Sequence, residues 1–303
     1  MKKALKGIIG LVCIGCVIGG ISTITKDDDK KTEIVSVDSG NKTSQKELSK
    51  DESKEEEKQV PSIEEQLLWE TDGVKFTATG IDTDSIWGTK LNVLIENDSD
   101  KDVGIGADAL IVNDYMINDW FSATVTAGNK TNDSITLFSS ELKAAGIENI
   151  GKIELYLHTF DPDTYQTKQN SDCITITTSE TVDETNNING TTLFEQDGIK
   201  IVGQYVDENS FWGAAVLLYI ENNSGQNINI HCDDVAINGY MVTALCSQEV
   251  YAGKKAISDI KLLSSDLESN GITSIDEIET EFRITNDNYE EIANSGKVKF
   301  STK

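Results

Sequence analysis

The chain has 303 residues, with 52 acidic and 26 basic side chains and a formal charge of -26 at pH 7. That balance excludes nucleic acid as a partner and disfavours anionic lipid, because phosphate binding needs basic clusters that release counterions. Five cysteines are too few for a disulfide scaffold, and the length suits two modest domains with extra segments better than one large domain.

The N-terminus reads as a membrane segment. Lys2, Lys3 and Lys6 precede an uncharged run over residues 7–25, which as a helix would extend about 28 Å, close to the roughly 30 Å hydrocarbon thickness. Lysines before the run and Asp27-Asp28-Asp29 after it orient the N-terminus inward and the rest outward. Three fates fit residues 1–25: an uncleaved transmembrane anchor, a signal segment cleaved after a pair such as Gly20-x-Ser22, or a lipoprotein signal with Cys16 as the lipidated residue. Cys16 follows Ile14-Gly15, but Cys13 stands where Leu or Val is usual in that signal. Each fate exports the remainder, which puts the folded part on the extracellular face of the cell membrane.

Residues 26–66 are dense in charge and poor in apolar side chains. Such a segment cannot bury enough surface to offset ordering and reads as a disordered stalk, holding the rest of the chain roughly 35 Å from the membrane.

Beyond the stalk the chain repeats. Trp87-Gly88 matches Trp212-Gly213, Ile95-Glu96-Asn97 matches Ile220-Glu221-Asn222, and Asn113-x-Tyr115-Met116 matches Asn238-x-Tyr240-Met241, all at a spacing of 125 without a gap. The two copies occupy residues 67–178 and 193–303, joined by a polar linker over 179–192 that leaves them free to reorient. Their charge divides evenly, 18 acids to 7 bases in the first and 18 to 8 in the second.

Each copy opens on a strand, a tight Asp-Gly turn (Asp72-Gly73, Asp197-Gly198) and a second strand. Leu91, Val93 and Ile95, matched by Val216, Leu218 and Ile220, then alternate with a period of two. Asn113-Asp114 and Asn238-Gly239 have the residue types of a two-residue hairpin. Ser139-Ser-Glu-Leu142 and Ser264-Ser-Asp-Leu267 read as a side-chain-capped helical turn, and two closing strands complete each copy. Seven or eight short strands with one helical turn predict an all-β chain of two tandem immunoglobulin-like β-sandwiches.

The I-E-N-x-S turn, the N-x-Y-M hairpin and the S-S-x-L…G-I segment resemble immunoglobulin-like modules of unknown function in exported proteins of Gram-positive bacteria. In these a lipid or helical anchor and a charged stalk precede the domains. The resemblance implies the fold and an exported setting, and it brings no catalytic residues.

Candidate sites are few. Trp87 with Tyr115, and Trp212 with Tyr240, offer either a surface for stacking on sugar or peptide or plugs at the sandwich ends, the matched positions favouring plugs. Asp98, Asp100 and Asp102 have the alternating carboxylates of a calcium loop but lack its central glycine and final bidentate acid, so no metal or other cofactor is expected. Asp161 and Asp163 are the only acids with any claim to hydrolytic chemistry, and a solvated turn accounts for them as well. His158 and His231 have no histidine counterparts, which argues against a triad or zinc site.

Leu217 and Tyr219 put apolar side chains on the face that alternation assigns outward, the mark of inter-module packing, a partner site or a cover by another strand. Cys232 and Cys246 replace Ala107 and Phe121. Strict pairing through the hairpin puts them on opposite faces, which favours buried thiols; a bulge would allow a disulfide instead. Cys173 is expected on the inner face of a closing strand. The sequence thus points to a non-enzymatic, membrane-tethered protein of the cell envelope, binding a cell-wall or protein partner or acting as a spacer.

Overall fold

The computed structural model describes residues 60–118, 120–182, 188–210 and 213–302. The expected membrane segment over residues 7–25, Cys16, the stalk up to residue 59 and Trp212 lie outside the described residues. Among the described residues no helix is long and apolar enough to cross a membrane.

The first module contains β1 (Gln66–Thr71), β2 (Val74–Asp82), β3 (Gly88–Asn97), β4 (Val103–Val112), β5 (Tyr115–Ile117), β6 (Ser122–Val125), β7 (Lys130–Phe138), α1 (Ser139–Ala144), β8 (Lys152–Phe160), β9 (Thr167–Asn170) and β10 (Ile174–Thr177). The second repeats the plan with β11 (Thr191–Gln196), β12 (Ile199–Ser210), β13 (Gly213–Asn222), β14 (Ile228–Ile237), β15 (Tyr240–Met241), β16 (Ala244–Leu245), β17 (Ser247–Val250), β18 (Lys254–Leu263), α2 (Ser264–Ser269), β19 (Glu277–Thr285) and β20 (Glu291–Ser301). Among the described residues the chain is all-β apart from the two short helices.

Each module buries alternate side chains between two sheets. In the first, the four-stranded sheet β1-β2-β3-β7 contributes Phe76, Leu91, Val93 and Ile95, while β4 and β8 contribute Ile105, Leu110, Ile153 and Leu155. The Asp-Gly turns adopt left-handed backbone, as their residue types allow, with Asp72 at φ 45° and Gly73 at 80°.

The I-E-N-x-S motif is a buried clamp. Asn97 Nδ2 donates to Lys101 O at 2.8 Å and Val125 O at 2.9 Å, and its Oδ1 accepts from Ser99 N and Oγ. Asn222 does the same with Gln226 O, Val250 O and Ser224. Both asparagines are fully buried, so each ties its turn to the facing sheet with its amide satisfied.

The helices depart from expectation at their starts. Ser139 and Ser264 lie inside them, the N-cap positions are Phe138 and Leu263, and neither makes a side-chain cap. The acid in the first turn bonds elsewhere. Glu141 accepts from Asn118 N at 2.8 Å and Asp266 from Thr243 N at 2.7 Å, pinning the segment after each hairpin.

Two boundaries shift. Residues 60–66 pack on the first module, with Pro61 buried, Ile63 against the core and Ser62 bonded to Ser179, because this end of the stalk carries apolar side chains. At the linker, β11 begins at Thr191.

The modules do not sit apart on their linker but share a sheet. The sheet of β10-β8-β4-β5 continues edge to edge into β18-β13-β12-β11, one eleven-stranded sheet with β6, β9 and β16 paired to its flanks. The join is parallel, Tyr115 against Lys255 and Met116 against Ala256. The cores interpenetrate as well. Val202 and Tyr219 belong to the first core, and Met116 packs on the second.

Candidate functional site

The junction gathers the chain's least repeated side chains. Asn113 fixes the hairpin that enters it: its Nδ2 donates to Asn149 O at 2.6 Å, and its Oδ1 accepts from Gly151 N and Lys152 N. That leaves Asp114 and Tyr115 projecting at the tip. Lys255 N donates to Asp114 O at 2.9 Å.

The Tyr115 ring meets Tyr219 edge-on, centroids 6.4 Å apart, and Tyr156 meets Tyr251 at 4.9 Å. Lys255 Nζ lies 5.5 Å from the Tyr115 ring centre, within cation–π range. Burial, reinforced by the nearby Glu221 carboxylate, raises the Tyr115 and Tyr219 hydroxyls above their usual pKa. Burial, with Cys173 as second cause, pushes Tyr156 up to about 12.

Lys254 is the electrostatic centre. Its Nζ lies 2.8 Å from Asp114 Oδ1 and 2.6 Å from Glu154 Oε2, both in the other module, and Lys152 reaches the same carboxylates at 2.7 and 3.4 Å. Partial burial would lower the Lys254 pKa, but the two carboxylates outweigh it and raise it. Partial burial would likewise raise Asp114, and hydrogen bonds from Lys152 and Lys254 hold it below the usual carboxylate value. In an acidic protein these two lysines make the junction a place where carboxylates converge without repulsion.

Beside the junction, Asp108, Met116, Asn118, Glu141, Gln248 and Glu249 are among the residues lining a cleft of about 300 Å³. Burial raises the Glu249 carboxyl, helped by the like charges of Asp287 and Asp108. Among the described residues, no three His, Cys, Asp or Glu side chains are grouped to hold a metal ion.

The residues singled out from sequence fall in different places. Tyr115 is 8 % exposed and Tyr219 1 %, so neither offers a surface; Tyr219 packs between modules and Leu217 is half-buried. Trp87 is 65 % exposed and does not plug the sandwich end, and Tyr240 is 52 % exposed. Because Tyr115 is covered, Trp87 has no exposed Tyr115 beside it. Asp98 pairs with Lys75 at 3.3 Å and Asp102 accepts from Ala127 N, the behaviour of turn acids. Asp161 accepts from Asp163 N and Thr164 N and pairs with Lys168, again a turn. Cys173 is exposed ahead of β10 rather than inward, with its Sγ 3.7 Å from Glu154.

Cys232 and Cys246 form a disulfide, Cα atoms 5.4 Å apart. The preference for buried thiols fails because the ladder slips by one residue beyond the hairpin. Ile237 faces Tyr240, yet Ile228 faces Val250 and His231 faces Ser247. The slip sets position 232 opposite 246 and puts both on one face. The same slip in the first module has Ala107 N donating to Phe121 O.

Sequence reasoning missed Asp114, Glu154, Tyr156, Tyr251 and Lys254. Their signal was available: 125 positions away stand Gly239, Glu279, Glu281, Thr126 and Asn129, so four of the five break the repeat.

No protein-family model and no curated protein matches the chain. Among solved structures it is similar to the Salmonella enterica SafA pilin in complex with the SafB chaperone, at TM-score 0.23 and 13 % identity over 77 % of this chain and 98 % of that one. It is also similar to the YadV chaperone, at TM-score 0.22 and 10 % identity over 68 % and 90 % of the two chains. A protein of unknown function from Porphyromonas gingivalis W83 gives TM-score 0.20 and 14 % identity over 70 % and 90 %. Scores this low carry no argument about function, which rests on the chain's own geometry.

Proposed function

We propose that this is a non-enzymatic, membrane-tethered protein of the bacterial cell envelope, whose two immunoglobulin-like modules act as one rigid binding or spacer unit on the extracellular face. The observation that carries this reading is the sheet running unbroken through both modules. Such a unit transmits position and presents its surface in fixed geometry, which a spacer or docking protein requires and a hinged pair lacks. The apolar run over residues 7–25 and the charged stalk support the tether, and the acidic surface favours cationic or neutral partners.

The test joins accessibility with capture. A C-terminal epitope on intact cells should be open to added protease, and the purified protein should be retained on isolated cell walls. An epitope protected until lysis contradicts the exported setting; an exposed epitope without wall retention leaves the spacer role and removes wall binding.

A second reading, carbohydrate recognition, is favoured by the exposed Trp87 and Tyr240. Glycan-array binding lost in Trp87→Ala would support it, and no binding by the parent chain would remove it.

A further inference from the structure

The join between the modules is heterologous: the hairpin tip of the first docks on the strand edge of the second. Because the modules repeat, each also carries the half it does not use here. The second has its own hairpin tip at Tyr240 and Met241, and the first has its own edge strand, β7.

Both spare halves are uncovered. Tyr115 is 8 % exposed and Met116 packs on the second core, whereas Tyr240 is 52 % and Met241 60 % exposed. The corresponding asparagine still fixes the tip, with Asn238 Nδ2 donating to Ser274 O at 2.7 Å and Oδ1 accepting from Asp276 N and Glu277 N. At the other end, β7 is the last strand of β1-β2-β3-β7, with no strand paired to its outer side among the described residues. The matching edge of β18 is filled twice over, by β5 and by β16.

We infer that the Tyr240–Met241 tip of one copy docks on the β7 edge of a second copy, repeating between chains the contact made within the chain. The register carries over directly. Tyr115 against Lys255 and Met116 against Ala256 become Tyr240 against Lys130 and Met241 against Thr131. Lys130 is exposed and replaces Lys255 as the cation above the tyrosine ring. An open edge beside a matching strand is a template for addition, and a heterologous contact that does not close builds a linear chain of molecules.

This contact is weaker than the internal one. Lys254, Asp114, Tyr219 and Tyr251 are replaced at the free halves by Asn129, Gly239, Leu94 and Thr126, so the charged bridge and the tyrosine pairs are missing. Chains of charge -26 also repel one another. Association is therefore concentration-dependent and strengthens with added salt, which screens that repulsion.

The test uses two full-length variants, each disabling one half: Met241→Asp for the tip and Lys130→Glu for the edge. Both positions are exposed, and unchanged melting of each variant controls for folding. The parent chain should form a concentration-dependent ladder of dimers and longer species under chemical cross-linking. Each variant alone should remain monomeric. The two mixed should stop at dimers, since only one compatible pair of halves remains. A photo-cross-linker at Tyr240 should map to Lys130–Asn132 of the other copy. A parent that stays monomeric at every concentration and salt, variants that still assemble alone, a mixture that stays monomeric, or cross-links that map elsewhere on the copy or to a different protein in cells would each overturn the inference.

Discussion

The Tyr115 ring meets the Tyr219 ring edge-on across the junction, centroids 6.4 Å apart and planes at 64°. Tyr115 belongs to a hairpin motif repeated at Tyr240, while Tyr219 stands where the first module has Leu94. A residue common to both copies and one peculiar to the second therefore seal the modules together. Edge-to-face geometry suits the ring quadrupoles, and burial of the two rings supplies most of the gain.

Tyr219→Ala should accordingly cost about 3–5 kcal/mol, the usual range for emptying a large aromatic site. In chemical denaturation the parent should unfold in one transition, because its cores share residues. The variant should show two, as the modules uncouple. A single transition with an unchanged midpoint contradicts this.

Lys254→Met removes the bridge between Asp114 and Glu154. Breaking a fully buried pair costs about 3–5 kcal/mol; here Asp114 is 40 % exposed and Lys152 still reaches both carboxylates, so the expected loss is about 1–3 kcal/mol. Adding Glu154→Gln to Lys254→Met should recover part of it, since the unpaired carboxylate is then gone. A double variant less stable than the single would show that the cost lies in packing.

Two carboxyls at or beside the junction respond to pH in opposite senses. Asp114 is held below its unfolded value, so its stabilisation is present above the unfolded carboxylate range and is lost as pH falls through the folded value. Glu249 is raised, chiefly by burial, so its contribution is fullest below the unfolded value and is lost as pH rises through the folded one. Glu249→Gln should therefore stabilise at neutral pH, by roughly 0.5–1 kcal/mol after allowance for its partial exposure. That gain should vanish in acid. Melting curves at neutral and acid pH check it, and an equal gain at both contradicts the assignment.

Asn97→Ala and Asn222→Ala each remove the side-chain donor from one buried carbonyl, Val125 O or Val250 O, and from a part-buried one, Lys101 O or Gln226 O, that keeps a serine hydroxyl. Each should cost about 2–4 kcal/mol, the sum of lost bonds and unsatisfied groups, read from denaturant midpoints. The two should be similar, since the bonds match to within about 0.1 Å. A loss below about 0.5 kcal/mol at either site would mean water satisfies the carbonyls.

What could be read from the sequence was local. Asp72-Gly73 and Asn113-Asp114 need left-handed backbone, and the residue types say so before any fold is known. Leu91, Val93 and Ile95 announce a buried strand face in the same way. The outward Tyr219 hinted at packing between modules. The disulfide was not legible, because a one-residue slip after the hairpin decides whether Cys232 and Cys246 meet. Nor was the helix start, since the acids Glu141 and Asp266 serve the hairpin segment and the serines lie inside the helices rather than at the N-cap positions. The junction stayed hidden because Lys254 acquires its meaning only from Asp114 and Glu154, 140 and 100 positions away.

The rigidity of the paired modules is the claim on which the functional reading stands, and a distance measurement across the junction tests it most directly. Spin labels at the corresponding exposed positions, introduced as Glu70→Cys and Glu195→Cys in a background with Cys13, Cys16 and Cys173 each replaced by Ser and the disulfide intact, report the separation of the modules in solution. One narrow distance distribution is expected, broadening when Tyr219→Ala and Lys254→Met are added. A broad or multiple distribution in the otherwise unaltered chain would mean that the modules swing on their linker, and would contradict the rigid unit.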